Sequence, residues 1–131
     1  MSTGPAVRRI LAAVSGYAIR VWNRACDYHF QPTRVGDRLL KAAIVFDGLA
    51  HNGGLGYAID VADPAEVQEA LEGFRRFGLD DAVQVVEAAL ALDDEGAQDL
   101  MSDAYWSAAD SFDAMFERYY ATHTEEFDPP A

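Results

Sequence analysis

Apolar residues recur along this chain at helical spacing. Val7, Leu11, Val14, Ala18, Val21, Ala25 and Tyr28 come at alternating three- and four-residue steps, which predicts a helix from about residue 6 to about residue 29 with that stripe turned inward. Ile10, Tyr17 and Trp22 widen the stripe. Gln31-Pro32-Thr33 ends it, because proline disfavours helical geometry in the residue before it. A second helix, from about 35 to about 50, buries Val35, Leu39, Ala42, Ala43, Phe46 and Leu49.

Asn52-Gly53-Gly54 interrupts the pattern as a structural loop, since glycine reaches backbone angles that other residues resist. A short helix of about residues 54 to 61 comes after it. Asp63-Pro64-Ala65-Glu66 then opens another helix, with aspartate at the cap, proline at the first helical position and glutamate near the exposed amides. That helix buries Val67, Ala70, Leu71, Phe74 and Phe77, and Gly78 stops it with Leu79 packing back over the end. Asp80 or Asp81 caps the next, whose inner face is Val83, Val86, Ala89 and Leu90.

Asp93-Asp94-Glu95 places negative charge at the start of a last helix, where the helix dipole favours it. This helix runs to about 122 and buries Leu100, Met101, Ala104, Ala108, Phe112, Met115 and Tyr119. The tail from Glu125 to Pro130 is expected to fray. No period-two strand pattern, internal repeat or low-complexity tract occurs. The fold class is therefore all-α, a single-domain bundle of five to six helices spanning 1–131.

Charge sharpens this picture. The net charge of -12 is unevenly distributed. Residues 1–44 carry seven basic side chains (Arg8, Arg9, Arg20, Arg24, Arg34, Arg38, Lys41) against two acidic ones, whereas 45–131 carry three basic and twenty acidic. Such a field repels nucleic acid and anionic membranes and attracts basic proteins. The basic end also offers cations that could neutralise acid within the fold.

On the outer side of the predicted last helix, Asp99, Asp103, Trp106, Asp110, Asp113 and Glu117 stand at spacings of four, three, four, three and four. On one straight helix they fall within a sector of ~80° opposite the core and span ~27 Å. One reading is an ordinary solvated face, as most charge runs are. The other is a partner-binding face. No Lys or Arg interleaves to relieve like-charge repulsion worth a few tenths of a kcal/mol per pair, and a tryptophan left wet is costly and typical of binding hot spots. Arg9, Arg20 and Arg24 lie roughly opposite the apolar stripe of the first helix and could instead meet these acids across a homodimer. Such pairing would remove the face from service.

Catalytic chemistry has weaker support, and the chain reads as a binding protein with no enzymatic role, no cofactor and no metal. Cys26 and His29 are one helical turn apart beside the apolar stripe, so a buried structural pair is favoured over a thiolate–imidazole pair or half a metal site. His51 beside the glycine loop has no nucleophile with a matching partner. Gly53-Gly54-Leu55-Gly56 lacks the lysine and spacing of a phosphate loop. The carboxylates form no Glu-x-x-His pair and no calcium-loop pattern.

A single cysteine excludes an internal disulfide and fits a reducing compartment. The start Arg8-Arg9-Ile10-Leu11-Ala12-Ala13-Val14 faintly resembles an export signal, but Arg20 and Arg24 interrupt the stretch beyond it, so a cytoplasmic protein is expected. No apolar run approaches the ~20 residues that a membrane span needs.

The segment Phe46-Asp47-Gly48-Leu49-Ala50-His51-Asn52-Gly53-Gly54-Leu55-Gly56-Tyr57 resembles the signature of the DNA-mimic protein family of the DMP type, small acidic helical bacterial proteins whose wider domain family is largely of unknown function. Ala70-Leu71 with Phe77-Gly78 resembles that family's alanine-leucine helix, and Tyr119 to Phe127 resembles its closing segment. Leu49 stands where an acidic residue is common and Leu55 where an aromatic is common. The likeness covers about residues 35–128, and 1–34 form the basic N-terminal helix outside it. The resemblance implies a protein that presents carboxylates in place of DNA phosphates and so occupies the DNA-binding surface of a transcription regulator or other basic protein. An immunity-like inhibitor or regulatory protein, binding a toxin or enzyme by shape as much as charge, is the alternative.

Overall fold

The computed structural model describes residues 16–130. Val7, Leu11, Val14, Ile10, Arg8 and Arg9 lie outside the described residues. Within them the first helix, α1, covers 16–25 and buries Ala18, Val21 and Ala25. It stops short of the expected end near 29. Asp27 Oδ1 accepts the His29 amide at 2.9 Å and Asp27 O accepts the Phe30 amide at 3.1 Å, so a turn replaces the last helical turn. Tyr28 is consequently 88% exposed, and Cys26 and His29 are exposed as well, not a buried pair.

The second helix, α2 (Val35–Gly53), runs three residues beyond the predicted end and leads into α3 (Leu55–Val61) through Gly54 alone. Next comes α4 (Pro64–Arg76), opened as its sequence indicates: Pro64 holds the first position and the Asp63 amide donates to Glu66 Oε1 at 3.0 Å. Gly78 takes φ +84, and the Leu79 amide reaches back to Phe74 O at 2.8 Å, closing α4 with Leu79 buried over its end. In α5 (Asp80–Leu90) both aspartates sit in the first turn rather than at the cap, which is Leu79. They face the dipole without a capping bond.

The predicted last helix is interrupted twice. It divides into α6 (Glu95–Asp99), α7 (Ser102–Ala109) and α8 (Phe112–Tyr120), with turns at 100–101 and 110–111. Asp94 caps the first of these, accepting the Ala97 amide at 2.8 Å. Of the predicted inward stripe Phe112 is buried and Met101, Ala108, Met115 and Tyr119 are partly buried against the core, but the fully buried positions otherwise lie one residue further on. Ser102, Tyr105, Ala109, Phe112, Phe116 and Tyr120 are buried, whereas Leu100 is 86% exposed and Ala104 faces solvent. The described residues are thus all helical, with no strand, and one core joins side chains of α1, α2, α3, α4, α5, α7 and α8. Its centre is a set of edge-to-face rings, Phe74 lying 6.3, 6.3 and 5.4 Å from Phe46, Tyr105 and Phe112.

The tail does not fray. After a single 3₁₀ turn (Thr124–Glu126), Phe127 inserts into the core, its ring 5.7 Å from Phe116 and 5.2 Å from Tyr120. Polar bonds hold it there. Asp37 of α2 is completely buried; its Oδ2 accepts the Asp128 amide at 2.8 Å and its Oδ1 pairs with Arg24 at 2.9 Å. Arg24 also donates to Asp128 O at 2.9 Å, Arg34 pairs with Asp128 at 2.9 Å, and Arg76 pairs with Glu126 at 2.8 Å. The basic first third therefore spends Arg24 and Arg34 inside the molecule.

Removing one partner of a buried ion pair leaves an uncompensated charge. Arg24→Leu is accordingly expected to cost about 3–5 kcal/mol, and Phe127→Ala a similar ~3–5 kcal/mol through the cavity it opens. Urea unfolding of the two variants checks this; losses under about 1 kcal/mol would show that the tail lies outside the cooperative unit.

Candidate partner-binding face

The displaced stripe moves every residue of the proposed face. Asp103, Trp106, Asp110, Asp113 and Glu117 each directly follow a buried residue, so they stand ~100° from the core direction instead of opposite it. They flank the core. The two turns further divide them among three short helices, and the six positions do not form one straight row.

Asp99 is drawn away from the others. Its Oδ1 accepts the Gly56 amide at 2.7 Å, while Ser102 Oγ accepts the Leu55 amide at 2.9 Å. Together they satisfy the first amides of α3, which has no capping side chain of its own. This contact explains the geometry at Asn52, Gly53 and Gly54. Asn52 and Gly53 complete α2, and Gly54 takes φ +93 to turn the chain into α3. A Cβ at Gly54 would stand 2.6 Å from the same Asp99 oxygen, so the side chain that caps α3 requires glycine opposite it.

Trp106 is 36% exposed, and its Nε1 donates to Ala50 O at 3.2 Å, fastening α7 to the end of α2. Around it Asp110 and Asp113 line an open groove of about 360 Å³ with Trp22, Asp47, His51 and Phe112. The Asp113 carboxylate accepts the amide of Ala114 at 2.8 Å. Glu117 lines a neighbouring groove with Ile19, Trp22 and Asp113 and is already engaged. Asp103 is exposed in the first turn of α7. Among the described residues no ion pair joins Asp99, Asp103, Asp110 or Asp113 to a cation. Arg24 serves Asp37, and the Arg20 guanidinium lies 5.6 Å from the Tyr17 ring; Arg9 is outside the described residues.

Trp22, Asp47 and His51 belong to this place, and periodicity does not assign them to it. Nothing local marks them, because α1 and the end of α2 meet α7 only through tertiary packing. His51 Nδ1 lies 2.8 Å from Asp47 O and 3.5 Å from Asp47 Oδ1, and the buried Tyr105 hydroxyl donates to that same carboxylate oxygen at 2.7 Å. Burial raises the Asp47 carboxyl above its ordinary 3.8, against the opposing pull of the Tyr105 bond and His51. Burial also raises Tyr105, with the Asp47 charge adding to it, so the hydroxyl stays a donor.

Asp99→Ala should lower stability by about 0.5–2 kcal/mol through the lost cap on α3, read from the thermal midpoint; an unchanged midpoint would deny the capping role. Because Asp47 holds its proton more tightly folded than unfolded, its favourable contribution is complete below about pH 3.8 and is lost as pH rises through the raised folded value. Asp47→Asn should flatten that part of the stability profile, and a denaturation series across acid pH showing an unaltered slope would contradict it.

Among the described residues no helix is long and apolar enough to cross a membrane. No curated protein and no solved structure matches the chain. A family pattern does: residues 34–130 match the DMP19-like protein family, which takes in the glycine junction, the Asp99 cap, the groove around Trp106 and the docked tail but leaves out α1. The chain belongs to the DMP19-like protein family.

Proposed function

We propose that the protein is an acidic binding module that occupies the DNA-binding surface of a transcription regulator or another basic protein, with a binding role and no catalytic one. The observation that carries this is the state of Asp103, Asp110 and Asp113: exposed carboxylates in a strongly acidic region, with no ion pair to them among the described residues. Of the arginines set against this face by the sequence, Arg24 pairs with the buried Asp37 and the Arg20 guanidinium lies 5.6 Å from the Tyr17 ring. The binding acids are Asp103, Asp110 and Asp113 with Trp106 beside them. Asp99 has a structural duty at α3, and its charge is a secondary contributor.

A lysine- or arginine-rich surface that neutralises phosphates does so through a salt-sensitive electrostatic attraction, and fixed carboxylates compete for the same cations. The resemblance of the Asn52-Gly53-Gly54 segment and the closing segment to DNA-mimic proteins supports this use of the charge. A second reading, an immunity-like inhibitor of a toxin or enzyme, draws support from the groove between Trp22 and Trp106, since a shaped cleft selects by fit as well as by charge.

The test is retention of bacterial DNA-binding proteins on the immobilised protein, with elution by salt and by duplex DNA. The protein should retain a partner that both reagents release, and Asp103→Lys with Asp110→Lys should weaken retention by roughly tenfold or more at low salt. Retention that neither the charge reversal nor duplex DNA alters would refute mimicry. If Trp106→Ala alone abolished a weakly salt-dependent interaction, the inhibitor would be the better description.

A further inference from the structure

The chain has two tryptophans, and both line the same groove. Neither indole is loosely held. Trp106 is pinned by its bond to Ala50 O and lies 6.3 Å from the His51 ring, while Trp22 packs edge-on to Phe112 at 4.8 Å and tilts against Phe116 at 5.6 Å. Asp110, in the turn between α7 and α8, and Asp113, in the first turn of α8, stand in the groove without an ion pair among the described residues.

We propose that this groove receives one arginine side chain of a basic protein partner, the guanidinium lying against indole and pairing with Asp110 and Asp113. The proposal rests on the reading that the partner is basic, and it adds which residue type is read and where.

Three physical considerations favour a guanidinium. Indole faces attract cations more strongly than other rings do, and a carboxylate close by adds the opposite charge. A guanidinium is planar, weakly hydrated and able to stack while donating from its edge, whereas an ammonium is compact, strongly hydrated and cannot stack. Rings already fixed by the fold need little ordering when the ligand arrives. The groove's about 360 Å³ leaves room for a single long side chain. Asp47 contributes background negative charge, its Oδ1 being occupied by Tyr105. His51 is the basic group of the lining and is itself held on Asp47.

Because both tryptophans lie in the groove, their indole N–H resonances report on it directly. The experiment titrates the isotope-labelled full chain at low ionic strength with N-acetyl-arginine amide and, separately, N-acetyl-lysine amide. Indole resonances should shift saturably with the arginine probe, and about threefold or more tighter than with lysine. Asp110→Asn with Asp113→Asn should weaken arginine binding by roughly tenfold, while Glu72→Gln with Asp93→Asn, which removes two charges outside the groove, should change it by less than about twofold. Indoles that do not respond to arginine, equal affinity for lysine, or equal weakening by the two double variants would each overturn the proposal. The wild-type titration stands even if the groove variant fails to fold. Silent indoles beside intact, DNA-competed partner retention would remove the arginine site alone, whereas arginine binding without such retention would remove only the DNA-mimic reading.

Discussion

Asp37 is a carboxylate taken wholly out of water, and much of the structure is arranged around the need to compensate it. Arg24 from α1 supplies the charge and the Asp128 amide supplies a second bond. Desolvating a charge costs several kcal/mol, which only a well-placed partner offsets. That requirement ties three distant stretches together: α1, the start of α2 and the last residues of the chain. Phe127 then enters the core beside Phe116 and Tyr120 because its neighbour Asp128 is held at Asp37. The basic first third is thus partly an internal counterweight, with Arg24 and Arg34 both paired to acids of the same chain.

This internal use of cations shapes the acidic side. Arg24, Arg34 and Arg38 are committed to Asp37, Asp128 and Glu69, and Asp103, Asp110 and Asp113 are exposed with no ion pair to them among the described residues. Like-charge repulsion among them costs a few tenths of a kcal/mol per neighbouring pair, small against a well-packed core. A fold can carry such a face cheaply. A homodimer built from Arg9, Arg20 and Arg24 against this face would have to do without Arg24.

The second to fifth expected helices, the Asp63-Pro64 start and the Gly78 stop were legible in the sequence, since each depends on neighbours within a few residues, whereas the first ends early and the last is three helices. The candidate site was only half legible. The four-three spacing picks out Trp106, Asp110 and Asp113, but the apolar count centres the inner stripe on Met101, Ala104 and Ala108, of which the first and last are only partly buried and Ala104 is exposed, where Ser102, Tyr105 and Ala109 are buried. Ser102 and Tyr105 are polar residues that tolerate burial because the Ser102 hydroxyl accepts the Leu55 amide and the Tyr105 hydroxyl donates to Asp47 Oδ1. Hydropathy cannot see a hydrogen-bond partner some fifty residues away. The exposure of Cys26 and His29 escapes periodicity for a related reason, a side-chain turn at Asp27 replacing the last turn of α1.

By itself, then, the sequence determined the all-helical class, the helix boundaries set by proline, glycine and acidic caps, the segregation of charge and membership of a family whose pattern spans 34–130. These are local or compositional properties. Tertiary structure decided which way each helix faces, that the tail docks instead of fraying, that Asp99 caps α3, and that Trp22, His51 and Asp47 join Trp106, Asp110 and Asp113 around one groove. The division has a physical cause: caps and periodicity act over one or two turns, whereas a buried charge, a satisfied hydroxyl and a shared cleft exist only when distant segments meet.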